Sequence, residues 1–319
     1  MKILANDGIS QLGKNLLEEA GFTVITDKVE QSDLVNYINE NNIEIVLVRS
    51  ATNIRKDVID QCSGLKLLGR GGVGMDNIDV SYAREKGLHV INTPAASSQS
   101  VAELVMGHLF AGARFLNKSF KEMETGDFNQ LKKAYAKGIE LRGKTLAIIG
   151  FGKIGQALAS YAIGCGMHVI AVTRTSRIVK ISLGEIQGHG ELFVDIQTIS
   201  DINEALEKAD FISINIPKQE GNKTVIGQNE FSKMRDNVIL VNAARGGVVD
   251  ESAILEAVST SKIAYIGLDV YENEPTPSLQ LLNNSKIGTT PHIGAATIEA
   301  QNRIGSELAS QIISIFGRQ

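Results

Sequence analysis

The feature that most constrains this chain is a glycine-rich segment near its middle, Gly150-Phe151-Gly152-Lys153-Ile154-Gly155. A run of apolar residues at 145–149 precedes the segment and predicts a strand, and apolar residues at helical spacing follow it to about residue 163. A second strand is predicted at 167–172. A G-x-G-x-x-G pattern inside a strand–helix–strand unit is typical of a Rossmann fold that binds a dinucleotide.

Each position of this segment has a separate physical role in such a fold. Gly150 permits the tight turn, Gly152 lets the backbone approach a pyrophosphate, and Gly155 lets the helix pack closely on the strand. Lys153 and Ile154 are also expected to bind the cofactor, and a helix that begins at Ile154 would place the pyrophosphate at the positive end of its dipole. The alternative, a glycine-rich turn without a ligand, fits the surrounding unit less well.

The residues after the second predicted strand bear on the choice of cofactor. Chains that bind NAD carry Asp or Glu there to hold the ribose 2′-hydroxyl, whereas this chain has Thr173, Arg174 and Thr175. Guanidinium and hydroxyl groups suit a 2′-phosphate. We therefore expect the cofactor to be NAD(P)(H) with a preference for NADP. The alternative is an exposed loop whose arginines are solvated.

Strand and helix patterns alternate along the chain, which predicts parallel sheets covered by helices on both faces. A chain of 319 residues has room for two domains. We expect an α/β protein with two doubly wound parallel-sheet domains. A Rossmann nucleotide-binding domain, residues 100–291, would be inserted into a flavodoxin-like substrate domain, residues 1–99 and 292–319.

Composition argues against several classes of protein. The formal net charge is −4 and no basic block stands out, which disfavours nucleic acid and anionic membranes as partners. No apolar run reaches the ~20 residues that span a bilayer, and the first residues lack a signal-peptide pattern. Two distant cysteines, Cys62 and Cys165, fit neither a disulfide framework nor a metal site. We expect a cytoplasmic protein without a metal.

Three later segments add chemistry to this fold: residues 241–247 (VNAARGG), 267–275 (GLDVYENEP) and 290–294 (TPHIG). In their order and spacing behind the glycine-rich segment, they resemble the D-isomer-specific 2-hydroxyacid dehydrogenase family, and the resemblance covers nearly the whole chain. It implies that the catalytic residues are Arg245, Glu274 and His292. It also implies further cofactor-binding residues, namely Pro217, Ala243, Ala244, Arg245, Asp269, His292 and Gly294.

The chemistry of 2-hydroxy acids calls for these residue types independently. Oxidation removes a hydride from C2 and a proton from its hydroxyl, and a histidine suits that proton because its ordinary pKa lies near 6.5. A carboxylate such as Glu274 would orient the imidazole, and a guanidinium such as Arg245 would bind the substrate carboxylate through two hydrogen bonds. Each of these residues could alternatively be structural, as we expect for His89, His108 and His168.

Within the family, the chain looks most like the branch that oxidises 3-phosphoglycerate to 3-phosphohydroxypyruvate, the first step of serine biosynthesis. The segments VRSAT (48–52), GRGGVGMDN (69–77), NTP (92–94) and GAATIEAQ (294–301) carry this resemblance. It implies a small 2-hydroxy or 2-oxo acid substrate that is phosphorylated. The substrate-binding residues would be Arg49, Ser50, Arg70, Gly72, Val73, Arg245 and His292.

Other interpretations of the sequence remain open. A glyoxylate or hydroxypyruvate reductase of the same family fits the arginines after the second strand, and a non-catalytic, NAD-sensing corepressor-like protein is a further alternative. The stretch between Arg177 and Asp210 is about ten residues longer than the family pattern suggests. The chain leaves no room for the regulatory domains of longer relatives, so feedback by serine is not expected.

A homodimer or higher homo-oligomer, built through the nucleotide domains, is expected from the resemblance and from the apolar helix that starts near Ser100.

Overall fold

Two α/β units make up this protein. The computed structural model describes residues 1–124, 126–219, 221 and 223–317. Unit 1 comprises Met1–Ser98 and Ala295–Gln319, and unit 2 comprises Gln99–Gly294.

Strands and helices alternate along most of the chain. The strands are β1 Lys2–Ala5, β2 Thr23–Ile25, β3 Ile45–Val48, β4 Leu67–Arg70, β5 His89–Asn92, β6 Thr145–Ile149, β7 His168–Val172, β8 Ile178–Ile186, β9 Gly190–Gln197, β10 Phe211–Ile214, β11 Val238–Asn242, β12 Ile263–Leu268 and β13 Ile287–Thr289. The helices are α1 Gln11–Glu19, α2 Leu34–Glu40, α3 Lys56–Gln61, α4 Val80–Glu85, α5 Ser98–Arg114, α6 Leu116–Met123, α7 Phe128–Ala134, α8 Lys153–Gly164, α9 Ile202–Lys208, α10 Gln228–Lys233, α11 Glu251–Ser259, α12 Leu279–Leu282 and α13 Ile298–Phe316.

Unit 1 is built on a five-stranded parallel sheet in the order β2-β1-β3-β4-β5. Side chains alternate between its faces, because successive residues of a strand point in opposite directions. Leu4 and Val46 pack with α2 and α3 on one face, whereas Ile3 and Ile45 pack with α1 and α13 on the other. This strand order is that of the flavodoxin-like doubly wound fold, so the fold class expected for this part of the chain is confirmed.

Unit 2 is built on a six-stranded parallel sheet in the order β13-β12-β11-β10-β6-β7. Its two faces are covered separately, with Ala147 in one apolar cluster and Leu146 in the other. A Rossmann sheet usually has one more strand beyond β7. In this position only Ile199 forms a parallel bridge, to Val172, among the described residues. The expected Rossmann fold is confirmed, with its outer strand reduced to that bridge.

A β-hairpin occupies the long stretch between Arg177 and Asp210. Strands β8 and β9 pair antiparallel, from Ile178 opposite Gln197 to Ile186 opposite Gly190. Ile181 and Ile196 are buried in the same apolar cluster as residues of α8. The sequence indicated the extra length but the hairpin was not predicted, although apolar residues alternate along β8 as they do in a strand with one buried face.

Candidate active site

The cofactor-binding residues expected from the sequence all follow strands of the unit 2 sheet. The glycine-rich segment follows β6, Thr173 to Thr175 follow β7, Pro217 follows β10, Ala243 to Arg245 follow β11, Asp269 follows β12, and His292 and Gly294 follow β13. Because all six strands are parallel, these residues lie at one edge of the sheet. The strand order reverses at β6, with β7 on one side and β10 on the other. Ligands of open α/β sheets bind at such a switch point.

The three glycines of the segment meet different surroundings. Gly150 has a φ of +97°, and a Cβ there would lie 2.6 Å from the carbonyl oxygen of Asn215. A Cβ at Gly155 would lie 2.4 Å from the carbonyl oxygen of Gly150, so the fold requires both glycines. A Cβ at Gly152 would meet no atom within 4 Å. Gly152 therefore leaves open space at the amino end of α8, which is the shape and polarity that a pyrophosphate requires.

We expect Gly152→Ala to raise the KM for the cofactor about tenfold, the scale of losing one charge-assisted hydrogen bond. The melting temperature should not change, because Gly152 has an ordinary φ of −77° and the added methyl group meets no protein atom. Gly164→Ala is a matched control at the other end of α8, where a Cβ also meets nothing. Steady-state kinetics and thermal unfolding check this, and an unchanged cofactor KM would contradict it.

The loop after β7 is held by a buried hydroxyl that was not predicted from the sequence. The Thr173 hydroxyl lies 2.8 Å from that of Thr198, whose Oγ1 also accepts the Arg177 N–H at 2.9 Å. Arg174 is exposed and makes no hydrogen bond or ion pair within the described part of the chain. No motif marks Thr198, because only the hairpin brings it back to the end of β7. The loop thus has a fixed backbone and presents the guanidinium of Arg174.

His292 and Glu274 form a hydrogen-bonded pair of the kind that general acid–base chemistry needs. Their Nδ1 and Oε2 atoms are 2.8 Å apart, and both side chains are about one-third exposed, at 35%. The other carboxylate oxygen accepts the Tyr271 N–H at 3.0 Å. Burial opposes ionisation of Glu274, but these hydrogen bonds and the charges of His292 and Arg245 outweigh it and hold its pKa below the usual value. Glu274 can therefore fix the orientation of the imidazole and stabilise its protonated form.

Asp269 shapes the backbone that carries His292. Its buried carboxylate accepts the Ile293 and Gly294 N–H groups, each at 2.8 Å, and the Thr290 hydroxyl at 2.7 Å. His292 has a φ of +54°, a left-handed conformation that is uncommon for residues other than glycine. Asp269 stabilises this turn, because the two amides that it binds come directly after His292. Its expected role in cofactor binding stays a prediction.

The loop of Arg245 packs directly on the loop of Glu274. The Asn242 side chain accepts the Ala244 N–H at 3.1 Å and donates to the Arg245 carbonyl at 3.0 Å, which shapes the turn after β11. A Cβ at Gly246 would lie 1.8 Å from the Tyr271 carbonyl oxygen, so only glycine allows this approach. Two motifs that are about 30 residues apart in the sequence thus meet in unit 2.

Glu274→Gln should shift the pH profile of the reaction. In the direction of oxidation the base must be neutral, and removing the negative charge beside His292 makes its protonated form less stable. We therefore expect the acid limb of the kcat/KM profile to move to lower pH. Glu251→Gln is a suitable control, because this partly buried carboxylate of α11 also accepts a backbone N–H, that of Glu272. An unmoved profile would mean that Glu274 is not the partner of His292.

The substrate-binding residues expected in unit 1 also lie at the carboxyl edge of their sheet. Arg49 and Ser50 follow β3, Arg70 ends β4, and Gly72 and Val73 come next. The Arg70 side chain donates through Nε to the Arg49 carbonyl at 3.2 Å. Gly72 has a φ of +150°, which favours glycine, and Val73 is 41% exposed. Unit 1 thus brings these five residues together.

Membrane insertion by a helix would require a long apolar helix, and metal binding would require a cluster of ligating side chains. None of the helices within the described residues is long and apolar enough to cross a membrane. The same part of the chain also contains no group of three or more His, Cys, Asp or Glu side chains that could hold a metal ion.

Two similar proteins match the chain along nearly all its length. A D-3-phosphoglycerate dehydrogenase from Methanocaldococcus jannaschii is 38% identical over 99% of this chain, and the chain spans 57% of that protein's length. A hydroxypyruvate reductase from Thermotoga maritima is also 38% identical, over 99% of this chain and 98% of its own length. Among solved structures, an acyclic imino acid reductase in complex with NADPH and D-Arg matches with a TM-score of 0.81. It is 27% identical and the match covers 99% of this chain and 97% of the other.

A family model places the match on the unit that carries the His292–Glu274 pair. Residues 106–294 match the NAD-binding domain of the D-isomer-specific 2-hydroxyacid dehydrogenases, which is more than half of the chain. The resemblance found in the sequence motifs is therefore confirmed, and the chain belongs to the D-isomer-specific 2-hydroxyacid dehydrogenase family.

Proposed function

We propose that this protein is an NAD(P)-dependent D-2-hydroxyacid dehydrogenase that oxidises 3-phosphoglycerate to 3-phosphohydroxypyruvate, the first step of serine biosynthesis. The observation that carries the proposal is the 2.8 Å pair of His292 and Glu274 at the edge of a Rossmann sheet that also holds Arg245. The phosphoglycerate dehydrogenases that the chain resembles support the choice of substrate.

The roles of the residues follow from their chemistry. His292 accepts the proton of the C2 hydroxyl through its Nε2 atom. Glu274, which is hydrogen-bonded to the other ring nitrogen, stabilises the imidazolium that results. Arg245 binds the substrate carboxylate through two parallel hydrogen bonds and so holds C2 in position. A nicotinamide cofactor bound at the open space beside Gly152 would accept the hydride.

The phosphate of the substrate needs cationic partners as well. A phosphate ester carries close to two negative charges at pH 7. Arg49 and Arg70 are neighbours at the carboxyl edge of the unit 1 sheet, where the Arg70 side chain binds the Arg49 carbonyl. We assign them, with Ser50 and the backbone of Gly72 and Val73, to the substrate.

A second candidate is a hydroxypyruvate or glyoxylate reductase. The Thermotoga hydroxypyruvate reductase has the same 38% identity as the Methanocaldococcus phosphoglycerate dehydrogenase. The match covers 98% of the reductase but only 57% of the dehydrogenase. An exposed Arg174 in place of a ribose-binding carboxylate also suits a reductase that uses NADPH.

Rates for 3-phosphoglycerate, glycerate and glyoxylate, each measured in the matching direction with both cofactors, distinguish these candidates. The proposed function predicts that 3-phosphoglycerate has the highest kcat/KM and that Arg49→Ala raises its KM but not that of glycerate. A higher kcat/KM for glyoxylate, unaffected by Arg49→Ala, would favour the reductase. Absence of turnover with every substrate, despite cofactor binding, would favour a sensing protein and overturn the proposal.

The helix α5, whose apolar residues suggested a dimer, is partly covered within the chain itself. Val101, Val105 and Leu109 of α5 are buried, so this helix leaves only part of its apolar residues exposed. Further exposed apolar side chains lie on the next two helices, with Phe120 of α6 85% exposed and Phe128 of α7 64% exposed. Unpaired apolar surface of this kind marks interaction sites.

We propose that these two helices form a homodimer through unit 2. Light scattering at micromolar concentration should give twice the monomer mass of 34.3 kDa. Phe120→Glu should reduce this mass to that of the monomer, whereas Leu12→Glu, at an exposed apolar residue of unit 1, should not. A monomeric wild-type protein would contradict the proposal.

A further inference from the structure

Asp7 lies directly after β1, beside the end of β3, and is surrounded by donors. Its carboxylate accepts the Arg49 N–H at 2.7 Å, the Thr52 N–H at 3.1 Å and the Thr52 hydroxyl at 2.7 Å. The Lys28 ammonium lies at 2.7 Å, and the Asp7 side chain is only 5% exposed. A single buried carboxylate thus binds both ends of the segment 49–52.

The backbone carbonyl groups of Arg49 and Thr52 are bound by a different residue, Asn77. The Asn77 amide donates to the Arg49 carbonyl at 3.0 Å and to the Thr52 carbonyl at 2.5 Å. The Asn6 amide donates to the Thr52 hydroxyl at 2.8 Å. Four backbone groups at the two ends of the segment are therefore fixed by Asp7 and Asn77.

The side chains of this segment differ in their burial. Ser50 is exposed and Arg49 is half-buried, while Thr52 is buried in the network. Burial opposes ionisation of Asp7, but the hydrogen bonds from Lys28 and from the segment outweigh it and hold its pKa below the usual value. Asp7 is therefore a carboxylate at neutral pH, and its charge strengthens the bonds to the Arg49 and Thr52 amides.

We propose that Asp7 is a positioning residue for the substrate: it does not touch the substrate but fixes the backbone from which Arg49 and Ser50 reach it. The proposal rests on the proposed function, because it assigns Arg49 to the phosphate. A long arginine side chain binds a phosphate in one geometry only if its Cα is held, since a displacement of about 1 Å is enough to weaken such contacts. An asparagine in place of the aspartate would carry no charge and only one acceptor oxygen for the Arg49 and Thr52 amides, the Thr52 hydroxyl and Lys28, so some of these bonds would be lost and the segment would move.

The test is a double-mutant cycle between Asp7→Asn and Arg49→Ala with 3-phosphoglycerate as substrate. Asp7→Asn should raise the KM for 3-phosphoglycerate about tenfold, the scale of one hydrogen bond to a charged group, with kcat and the cofactor KM nearly unchanged. Arg49→Ala should raise the same KM, and Asp7→Asn should add little in that background, because the two residues act on one contact. Glu44→Gln is the matched control, since this carboxylate accepts the Lys2 N–H at the opposite edge of the same sheet.

The possible outcomes distinguish the assignment of Arg49 to the phosphate from the positioning role of Asp7. If Arg49→Ala leaves the KM unchanged, the phosphate assignment fails and the role of Asp7 falls with it. If Arg49→Ala raises the KM but Asp7→Asn does not, or if the two effects multiply independently, only the positioning role is wrong. If the Asp7→Asn protein does not fold, Thr52→Val is the second test, because it removes only the hydroxyl that bonds to Asp7. Thr52→Val should raise the KM for 3-phosphoglycerate, and Thr52→Ser should restore it. An unchanged KM in Thr52→Val would overturn the proposal.

Discussion

His292→Gln is expected to lower kcat by about 100-fold or more, the usual scale for losing a general acid–base group. The glutamine keeps a polar side chain of similar reach but cannot take and return a proton at neutral pH. Cofactor binding should change little, because the glycine-rich segment and α8 do not depend on this side chain. Steady-state kinetics with 3-phosphoglycerate and a separate titration of the cofactor would measure the two effects.

A suitable control is His189→Gln, because His189 is exposed in the turn of the hairpin. This change should leave kcat as it is. Retained turnover in His292→Gln would remove His292 from the mechanism. A loss of cofactor binding in that variant would show instead that the change disturbs the turn held by Asp269.

The double change Thr173→Asp with Arg174→Ala is expected to shift the preference between the cofactors by roughly 100-fold toward NAD. About tenfold should come from losing the guanidinium that we expect to bind the 2′-phosphate, and a similar factor from an aspartate that repels the phosphate and binds the ribose hydroxyls. The measured quantity is the ratio of kcat/KM for NADP to that for NAD.

The single changes separate the two contributions. Thr173→Asp also removes the hydroxyl that bonds to Thr198, so any loosening of the loop appears in that variant alone. Arg174→Ala leaves the Thr198 hydrogen bonds in place and reports on the guanidinium only. A wild-type preference for NAD that neither change alters would mean that Arg174 lies in solvent.

Short-range patterns carried most of what could be predicted from the sequence. The turn at Gly150, the helix that follows it and the alternation of apolar residues in the strands are local, because each depends on neighbours within a few residues. The motifs around Arg245, Glu274 and His292 could be recognised for the same reason. All of them follow parallel strands, and the carboxyl ends of such strands meet at one edge.

Contacts between distant residues could not be predicted in this way. Thr198 reaches Thr173 only because a hairpin joins them, and Asp7 binds Thr52 because β1 and β3 are neighbours in the sheet. The sequence near Asp7 has no pattern that distinguishes it from a solvated carboxylate. The burial of Val101, Val105 and Leu109 in α5 could not be predicted either, since periodicity reveals an apolar face but not what covers it.

The discontinuity of unit 1 determines the order in which the chain can complete its fold during synthesis. Unit 2 is one continuous stretch, whereas one face of the unit 1 sheet is covered by α13 together with α1. Gly13 and Gly305 let these two helices approach so closely that a Cβ on Gly13 would lie 2.6 Å from the Gly305 backbone. That contact joins residues that are far apart in the sequence, so it forms only after α13 has left the ribosome. In the nascent chain, Ile3, Ile45 and Leu67 therefore lack their packing against α13 while all of unit 2 is synthesised.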